Sequence, residues 1–213
     1  MKNVPISATQ ALSKLREGNA RFVAGDRCVD ICQSYTRLDE HLDGQAPFAV
    51  ILGCSDSRVP VEIVFDAGLG DLFIVRVAGN IVTPALMGSI ELAVEKFGPR
   101  LVVVLGHSGC GAVDVTIQAM KNVDGMMTDH VSSIIERIRP AITEVLEADA
   151  EGDHAVLLQD AVRSNVRAGV DALLYGSSTL AGYVRDYGLL VVGAEYSLET
   201  GQVNFFAGSP DKG

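Results

Sequence analysis

Three runs of largely consecutive apolar residues stand out in the first half of the chain, over residues 48–53, 72–77 and 101–106. Apolar and polar positions do not alternate within them, so each run predicts a strand covered on both faces, as strands of a parallel sheet are. Residues 189–196 predict a fourth strand of this kind, and residues 203–206 predict a fifth strand after a turn.

Stretches with helical spacing of apolar residues separate these runs. An opening helix is predicted from Ser7, which stands three positions before Gln10 as in a capping box, to Gly25. Further helices are predicted over residues 87–97, 113–120, 132–147, 154–174 and 179–187. Helices that alternate with strands indicate βαβ units with right-handed crossovers. The pattern therefore predicts an α/β fold: a mainly parallel four-stranded sheet with a fifth C-terminal edge strand, flanked by helices.

No repeat, low-complexity tract or linker divides the chain, and 213 residues fit a single α/β unit. We expect one domain, in which residues 1–44 form a helical N-terminal arm and residues 45–213 form the α/β core. Residues 26–44 show no clean periodicity and are expected to form short helices and loop.

The composition narrows the classes of function. A net charge of −10 without any run of Lys and Arg argues against a nucleic-acid partner, which needs a clustered basic surface. No apolar stretch approaches the roughly 20 residues of a membrane span, and no apolar signal segment follows Met1, so a cytoplasmic location is expected. Four cysteines in that compartment favour metal binding or simple burial over disulfides.

Chemically distinctive side chains follow the first and the third predicted strands. Cys54 comes after the first strand, and His107 and Cys110 come after the third. Ligand sites of parallel sheets lie at the carboxyl ends of the strands, where these three residues would meet. Two thiolates and one imidazole suit Zn²⁺, and three protein ligands leave a fourth position open, as in catalytic zinc sites. Plain burial is the alternative for each cysteine, but a charged pair such as Asp56 and Arg58 is unusual in an inert core.

The motifs Cys54-x-Asp56-x-Arg58 and His107-x-x-Cys110 resemble those of the β-class carbonic anhydrases, and His107 stands 53 positions after Cys54. The resemblance extends over nearly the whole chain. The further stretches that carry it are Glu17-Gly18-Asn19-x-Arg21-Phe22, residues 70–76, Ala78-Gly79-Asn80 and Val192-Gly193-Ala194-x-Tyr196.

This resemblance implies a zinc enzyme that hydrates carbon dioxide reversibly to bicarbonate and a proton. Cys54, His107 and Cys110 would bind one Zn²⁺ per chain, and zinc-bound hydroxide would be the nucleophile. Asp56 would accept a hydrogen bond from that hydroxide, and Arg58 would hold the Asp56 carboxylate in place. In some members the aspartate leaves the arginine at lower pH and becomes the fourth zinc ligand. Asp56 is therefore also expected to be a conditional metal ligand of a closed state.

Further matches to the family concern the substrate pocket. Gln45, Phe73, Ala78 and Gly111 match residues that line it, although a place in the core explains Phe73 equally well. Leu92 departs from the family, because plant-type members have a tyrosine there that reaches the pocket of the neighbouring subunit.

Two positions bear on bicarbonate inhibition. Arg76 matches an arginine of the non-catalytic bicarbonate site that some members have, but Ile51 stands in place of the tryptophan of that site. The resemblance therefore does not extend to bicarbonate inhibition.

Members of the family assemble as dimers or tetramers with the zinc pocket at the subunit interface, which implies a homo-oligomer acting on a small molecule. The amphipathic opening helix has no obvious partner in a minimal βαβ core and is expected to pack on a second subunit. Two other functions fit the same motifs: hydrolysis of carbonyl sulfide or carbon disulfide, and a catalytically silent zinc module that senses bicarbonate. The intact pair of Asp56 and Arg58 argues against the sensor.

Few residues outside these motifs suggest chemistry. Cys28 and Cys32 lie four apart, but a second metal site would also need His41 or a nearby carboxylate, so structural or mildly redox-active thiols are the default. His130, at the start of a predicted helix, suits a proton shuttle because imidazole titrates near neutral pH. A solvated histidine at a helix start is the simpler explanation of that residue.

Overall fold

The computed structural model describes residues 6–28, 42, 44–121, 128–148 and 153–208, and most of the segment 26–44 lies outside these ranges. None of the helices in these ranges is long and apolar enough to cross a membrane, and the cytoplasmic location stays a prediction. The strands are β1 (Ala49–Gly53), β2 (Leu72–Arg76), β3 (Leu101–His107), β4 (Leu190–Tyr196) and β5 (Val203–Ala207). The helices are α1 (Ala8–Ala24), α2 (Val61–Val64), α3 (Pro84–Phe97), α4 (Gly111–Met120), α5 (Asp129–Ala148), α6 (His154–Gly176) and α7 (Ser178–Tyr187), and a 3-10 turn (Ala78–Asn80) follows β2.

The strands form one sheet in the order β2-β1-β3-β4-β5. The first four strands along the chain are parallel to one another, and β5 pairs antiparallel with β4 at the edge. The predicted α/β fold is confirmed, and each strand begins and ends within one residue of its prediction. The division into an N-terminal arm and a core within one domain stays a prediction.

Several helices begin up to three residues earlier than predicted. In α3 the reason is Pro84 in the first turn, where the missing N–H is harmless and the fixed φ angle favours the helix. α1 starts and stops as predicted, because Ser7 and Gln10 form the capping box and Gly25 ends the helix with a φ of 73°.

The core lies on both faces of the sheet. Ile51 and Val103 face the layer that contains α1 and α2, whereas Leu52 and Val104 face the layer that contains α3, α6 and α7. All four side chains are fully buried. Because neighbouring residues of a strand point to opposite faces, both of which are covered, an apolar residue is favoured at every position, and this explains the uninterrupted runs.

α1 packs on the core of its own chain. Its buried residues Ala11, Leu12 and Leu15 join the cluster that contains Phe65 and the inner face of β1. The expectation that this helix lacks a partner within its own chain is therefore wrong. Contact between the outer face of α1 and a second subunit stays a prediction.

Two residues of the Glu17-to-Phe22 motif bring α1 close to the loop after α2. A Cβ atom on Gly18 would lie 1.9 Å from the carbonyl oxygen of Phe65, so only glycine permits this approach. Arg21 Nε donates to Asp66 Oδ2 at 2.6 Å, and the Asp66 side chain is fully buried. This part of the motif is structural, because it fixes the position of α1.

Asn19 connects α1 with two other segments of the backbone, the end of α2 and the turn into β5. Its Nδ2 donates to the carbonyls of Val64 (3.1 Å) and Gly201 (2.9 Å), and its Oδ1 accepts a hydrogen bond from the N–H of Val203 (2.8 Å). The side chain is buried, so each of these groups would lose its partner without it.

Replacement of Asn19 by leucine is expected to destabilise the protein by about 2–4 kcal/mol, because three backbone groups lose their hydrogen bonds at a site that excludes most water. Urea unfolding at one fixed protein concentration measures this. Ala20→Gln, at the exposed neighbouring position, is the control and is expected to change stability by less than about 0.5 kcal/mol. Equal stabilities of the two variants would contradict the role given to Asn19.

Candidate metal centre

The predicted metal ligands lie together at the carboxyl ends of two neighbouring strands of the sheet. β1 and β3 are parallel partners, with Gly53 opposite Leu105, so the residues that follow them emerge side by side. Cys54 follows β1, His107 ends β3, and Cys110 precedes the first residue of α4. The ligand atoms of these three residues lie within 4.8 Å of one another, and all three residues are buried. The structure thus brings the predicted triad together.

The ring of His107 is oriented by its neighbour. Its Nδ1 lies 3.0 Å from the carbonyl oxygen of Ser108, which can only accept a hydrogen bond, so Nδ1 carries the proton. Its Nε2 then presents a lone pair, is buried, and has no hydrogen-bond partner among the described residues. Metal-binding histidines characteristically give their other N–H to such an acceptor. The unpartnered Nε2 therefore fits a metal ligand.

The two thiols differ strongly in acidity. The pKa of Cys54 is lowered, first by a hydrogen bond with the Cys110 thiol and also by one from the backbone N–H of Gly79. The pKa of Cys110 is raised, because it hydrogen-bonds to the Cys54 thiolate and is itself buried. A second thiolate beside the first requires a cation between them, and two sulfurs with one imidazole are a donor set that Zn²⁺ accepts. The residues present therefore fit zinc.

A charged pair lies at the rim of this triad. Arg58 donates through Nε to Asp56 Oδ1 (3.0 Å) and through Nη2 to Asp56 Oδ2 (2.7 Å), and the backbone N–H of Arg58 also donates to Oδ1 (2.9 Å). These bonds from Arg58 hold the pKa of Asp56 well below its usual range. Asp56 Oδ2 is 3.8 Å from His107 Nε2. A carboxylate that is ionised near neutral pH is therefore held by Arg58 next to the triad.

Arg76 secures the backbone that carries both Cys54 and Asp56. It is the last residue of β2, in register with Gly53. Its Nε donates to the carbonyl of Cys54 (2.9 Å) and its Nη2 donates to the carbonyl of Asp56 (2.7 Å). Sequence reasoning missed this contact, and the position of Arg76 at the end of the neighbouring strand was the one signal available.

Comparison with known proteins bears directly on this centre. A family model for carbonic anhydrases matches residues 49–203, which is more than half of the chain. The chain belongs to the β-carbonic anhydrase family. Carbonic anhydrase 2 of Mycobacterium tuberculosis is 40% identical over 199 residues, which cover 93% of this chain and 91% of that protein. The carbonic anhydrase of Mycolicibacterium smegmatis is 39% identical over 186 residues, which cover 84% of this chain and 87% of the relative.

Solved structures agree with this membership. A crystal structure of tetrameric β-carbonic anhydrases from Sordaria macrospora has a TM-score of 0.73 at 27% identity and covers 93% of this chain and 95% of that one. A Coccomyxa β-carbonic anhydrase in complex with acetazolamide has a TM-score of 0.70 at 26% identity, covering 92% of this chain and 86% of that one. The chain is therefore a carbonic anhydrase, as its motifs implied, and carbon dioxide hydration is the reaction of its family.

The four predicted pocket residues of this β-carbonic anhydrase separate into two pairs. Ala78 and Gly111 lie beside the triad, in the turn after β2 and at the start of α4. Gln45 precedes β1, so the whole strand, about 16 Å long, separates it from the triad. Phe73 lies near the start of β2, where its ring is 6.0 Å from that of Phe97. A single chain does not bring Gln45 and Phe73 to the triad.

The remaining residues of interest lie elsewhere. Cys28 is a free, exposed thiol, and Cys32 and His41 lie outside the described residues. His130 is exposed at the start of α5. His154 Nε2 forms a hydrogen bond with Asp114 Oδ1 on α4 (2.9 Å). The sequence did not suggest this contact.

Cys54→Ser is expected to abolish tight zinc binding, because it removes one of three ligands and a negative charge. Loss of one outer partner of a ligand already costs about 10- to 100-fold in metal affinity, so the loss here should exceed that. Metal content after desalting and competition with a chromophoric chelator provide the measurement. Cys28→Ser is the matched control, since Cys28 lies outside the cluster. Unchanged affinity in Cys54→Ser would remove Cys54 from the ligand set.

Proposed function

We propose that this β-carbonic anhydrase hydrates carbon dioxide reversibly to bicarbonate and a proton with one Zn²⁺ held by Cys54, His107 and Cys110. The observation that carries the proposal is the buried triad with an ionised carboxylate 3.8 Å from His107 Nε2. When bound, the metal would lower the pKa of a coordinated water to about 7 and so supply a nucleophile near neutral pH. Three protein ligands leave one position for that water.

Asp56 orients the nucleophile in this proposal. Its pKa lies well below the usual range because of the bonds from Arg58, so it carries no proton near neutral pH and can only accept a hydrogen bond. A nucleophile that donates a hydrogen bond to Asp56 directs its lone pair away from the carboxylate and toward the substrate. Arg58 acts as a positioning residue, because its two side-chain bonds fix the carboxylate plane.

Asp56 has a second role in this proposal, as a conditional fourth ligand. Its carboxylate has two alternative cationic partners, Arg58 in the observed arrangement and the metal at the triad. Lower pH disfavours the deprotonated nucleophile, so the carboxylate meets less competition for the fourth metal position. Rotation from Arg58 to the metal would then close the site.

The pocket is proposed to form between two subunits of a homodimer or homotetramer. Gln45 and Phe73 lie far from the triad of their own chain, so a second copy is the means by which they reach a triad. Leu92 is 55% exposed on α3, which agrees with a surface that a partner covers. The Sordaria macrospora neighbours are described as tetrameric, and this supports an assembly of the same kind.

Asp56→Asn is expected to lower kcat/KM for hydration by about 100-fold or more while zinc stays bound, since the amide can donate to the nucleophile and misorient it. Stopped-flow hydration from pH 6.5 to 9 provides the measurement, with Cys54→Ala as the inactive reference. Asp186→Asn is the matched control, because Arg185 makes the same two-pronged contact with Asp186 on the surface of α7. This control is expected to leave the rate unchanged.

Two outcomes would overturn the proposed reaction or the proposed role of Asp56. A parent protein with one zinc per chain and no hydration at any pH would exclude the reaction, and carbonyl sulfide and carbon disulfide would be the next substrates to assay. An Asp56→Asn variant as active as the parent would exclude the orienting role.

X-ray absorption of the zinc-loaded protein tests the conditional ligand. We expect a carboxylate oxygen in the fourth position at pH 6.5 and its replacement by a water-derived oxygen at pH 9, and we expect no pH dependence of this kind in Asp56→Asn. An Asp56 carboxylate that stays on the metal at alkaline pH would contradict the proposal, as would identical spectra of parent and variant at pH 6.5.

A further inference from the structure

We propose that Asn165 is a positioning residue of the metal centre: its side-chain amide fixes Gly79, and the N–H of Gly79 holds the sulfur of Cys54. The inference rests on the proposed function in that the triad binds a metal, but it concerns hydrogen bonds behind the ligands. It assigns a role in metal binding to a residue of α6, which contributes no ligand.

Asn165 is an isolated polar residue on a buried apolar face. It is 5% exposed, and Val162 and Val166, one turn before it and one residue after it, are core residues. Its Nδ2 donates to the carbonyl of Gly79 at 2.8 Å. Burial of an amide is unfavourable unless it is hydrogen-bonded, so an apolar residue would suit the packing better than asparagine. The hydrogen bond to Gly79 therefore explains the residue.

Gly79 is held where only glycine fits. Its φ angle is 70°, a left-handed conformation that other residues rarely adopt. A Cβ atom there would lie 2.8 Å from Ile138 Cδ1 and 3.1 Å from Ala112 Cβ. In this conformation the N–H of Gly79 donates to Cys54 Sγ at 3.4 Å, while its carbonyl accepts from Asn165. Gly79 thus connects α6 with the sulfur of Cys54.

Removal of the Asn165 amide would act on the thiolate through this connection. The buried carbonyl of Gly79 would lose its partner, and glycine has the backbone freedom to turn that carbonyl elsewhere. The N–H of Gly79 belongs to the preceding peptide plane, and a change of φ at Gly79 rotates that plane relative to the next one, so the N–H would move away from Cys54 Sγ. Hydrogen bonds to ligands orient them and adjust their donor strength, and their loss typically costs 10- to 100-fold in metal affinity.

The test compares Asn165→Leu with Asn19→Leu. Both residues are buried asparagines that donate to backbone carbonyls. The carbonyls that Asn19 contacts belong to Val64 and Gly201, which lie outside the metal centre. Zinc affinity is measured by chelator competition, and the Co²⁺-substituted proteins are compared by their sulfur-to-cobalt charge-transfer band. We expect Asn165→Leu to bind zinc about 10- to 100-fold more weakly with a shifted band, and Asn19→Leu to match the parent in both.

A loss of thermal stability in both variants, with parental zinc affinity and cobalt spectrum in Asn165→Leu, would overturn the proposal and leave Asn165 a purely structural residue. Asn165→Ala also removes the donor Nδ2 and adds no volume to the packed interior, so it serves in place of Asn165→Leu if that variant does not fold. Neither readout is an activity, so an inactive parent would contradict the proposed reaction without affecting this test.

A measurement on the parent protein tests directly the hydrogen bond from the Gly79 N–H to Cys54 Sγ. With ¹¹³Cd²⁺ as the probe metal, we expect a scalar coupling between cadmium and the amide proton of Gly79, transmitted through Cys54 Sγ. Absence of this coupling, in a protein that shows couplings from cadmium to the cysteine Cβ protons, would overturn the proposal.

Discussion

The parallel pairing of β1 with β3 is the constraint on which the rest of this structure depends. It places Cys54 and His107, which are 53 positions apart in the sequence, side by side at the carboxyl ends of two strands of one sheet. Both strands are covered on both faces, and the Cys54 and His107 side chains that follow or end them are shielded from water. Shielding makes two adjacent sulfurs unfavourable as thiolates and favourable as ligands of a cation. The sheet therefore creates a buried position that favours a cation.

The predicted ligands alone do not define the centre, because other groups hold two of them, and the neighbouring carboxylate, in place. The carbonyl of Ser108 fixes the tautomer of His107, Arg76 fixes the backbone of Cys54, and Arg58 fixes the carboxylate next to the triad. Most of these contacts involve backbone atoms or charged groups that already have a fixed geometry. Little conformational freedom would therefore be lost on metal binding. Such preorganisation is what lets a small site exert strong electrostatic effects without rearranging.

The sequence predicted those features that depend on local pattern, and it missed those that depend on single long-range hydrogen bonds. Strands covered on both faces leave uninterrupted apolar runs, so the strands were predicted correctly. The short motifs with Cys54, His107 and Cys110 predicted a cluster of these side chains, and the structure brings them together. The contacts of Arg76 and Asn165 end on backbone carbonyls, which exist at every residue and leave no signature in the chain. The packing of α1 on its own core was missed for a related reason. It depends on Gly18 and Asn19 meeting backbone groups in distant segments.

The pair of Asp56 and Arg58 lies at the boundary between the chain's interior and its surface, and this position matters for its chemistry. The Asp56 side chain is 17% exposed, whereas that of Arg58 is 59% exposed. An ion pair open to water gains little because solvent and salt screen it, and the same pair covered by protein interacts more strongly. The three predicted ligands all lie within one chain, whereas the Arg58 side chain is open to solvent in that chain. A surface that covered Arg58 would therefore hold Asp56 more firmly beside the triad, and it would link assembly to the chemistry of the site.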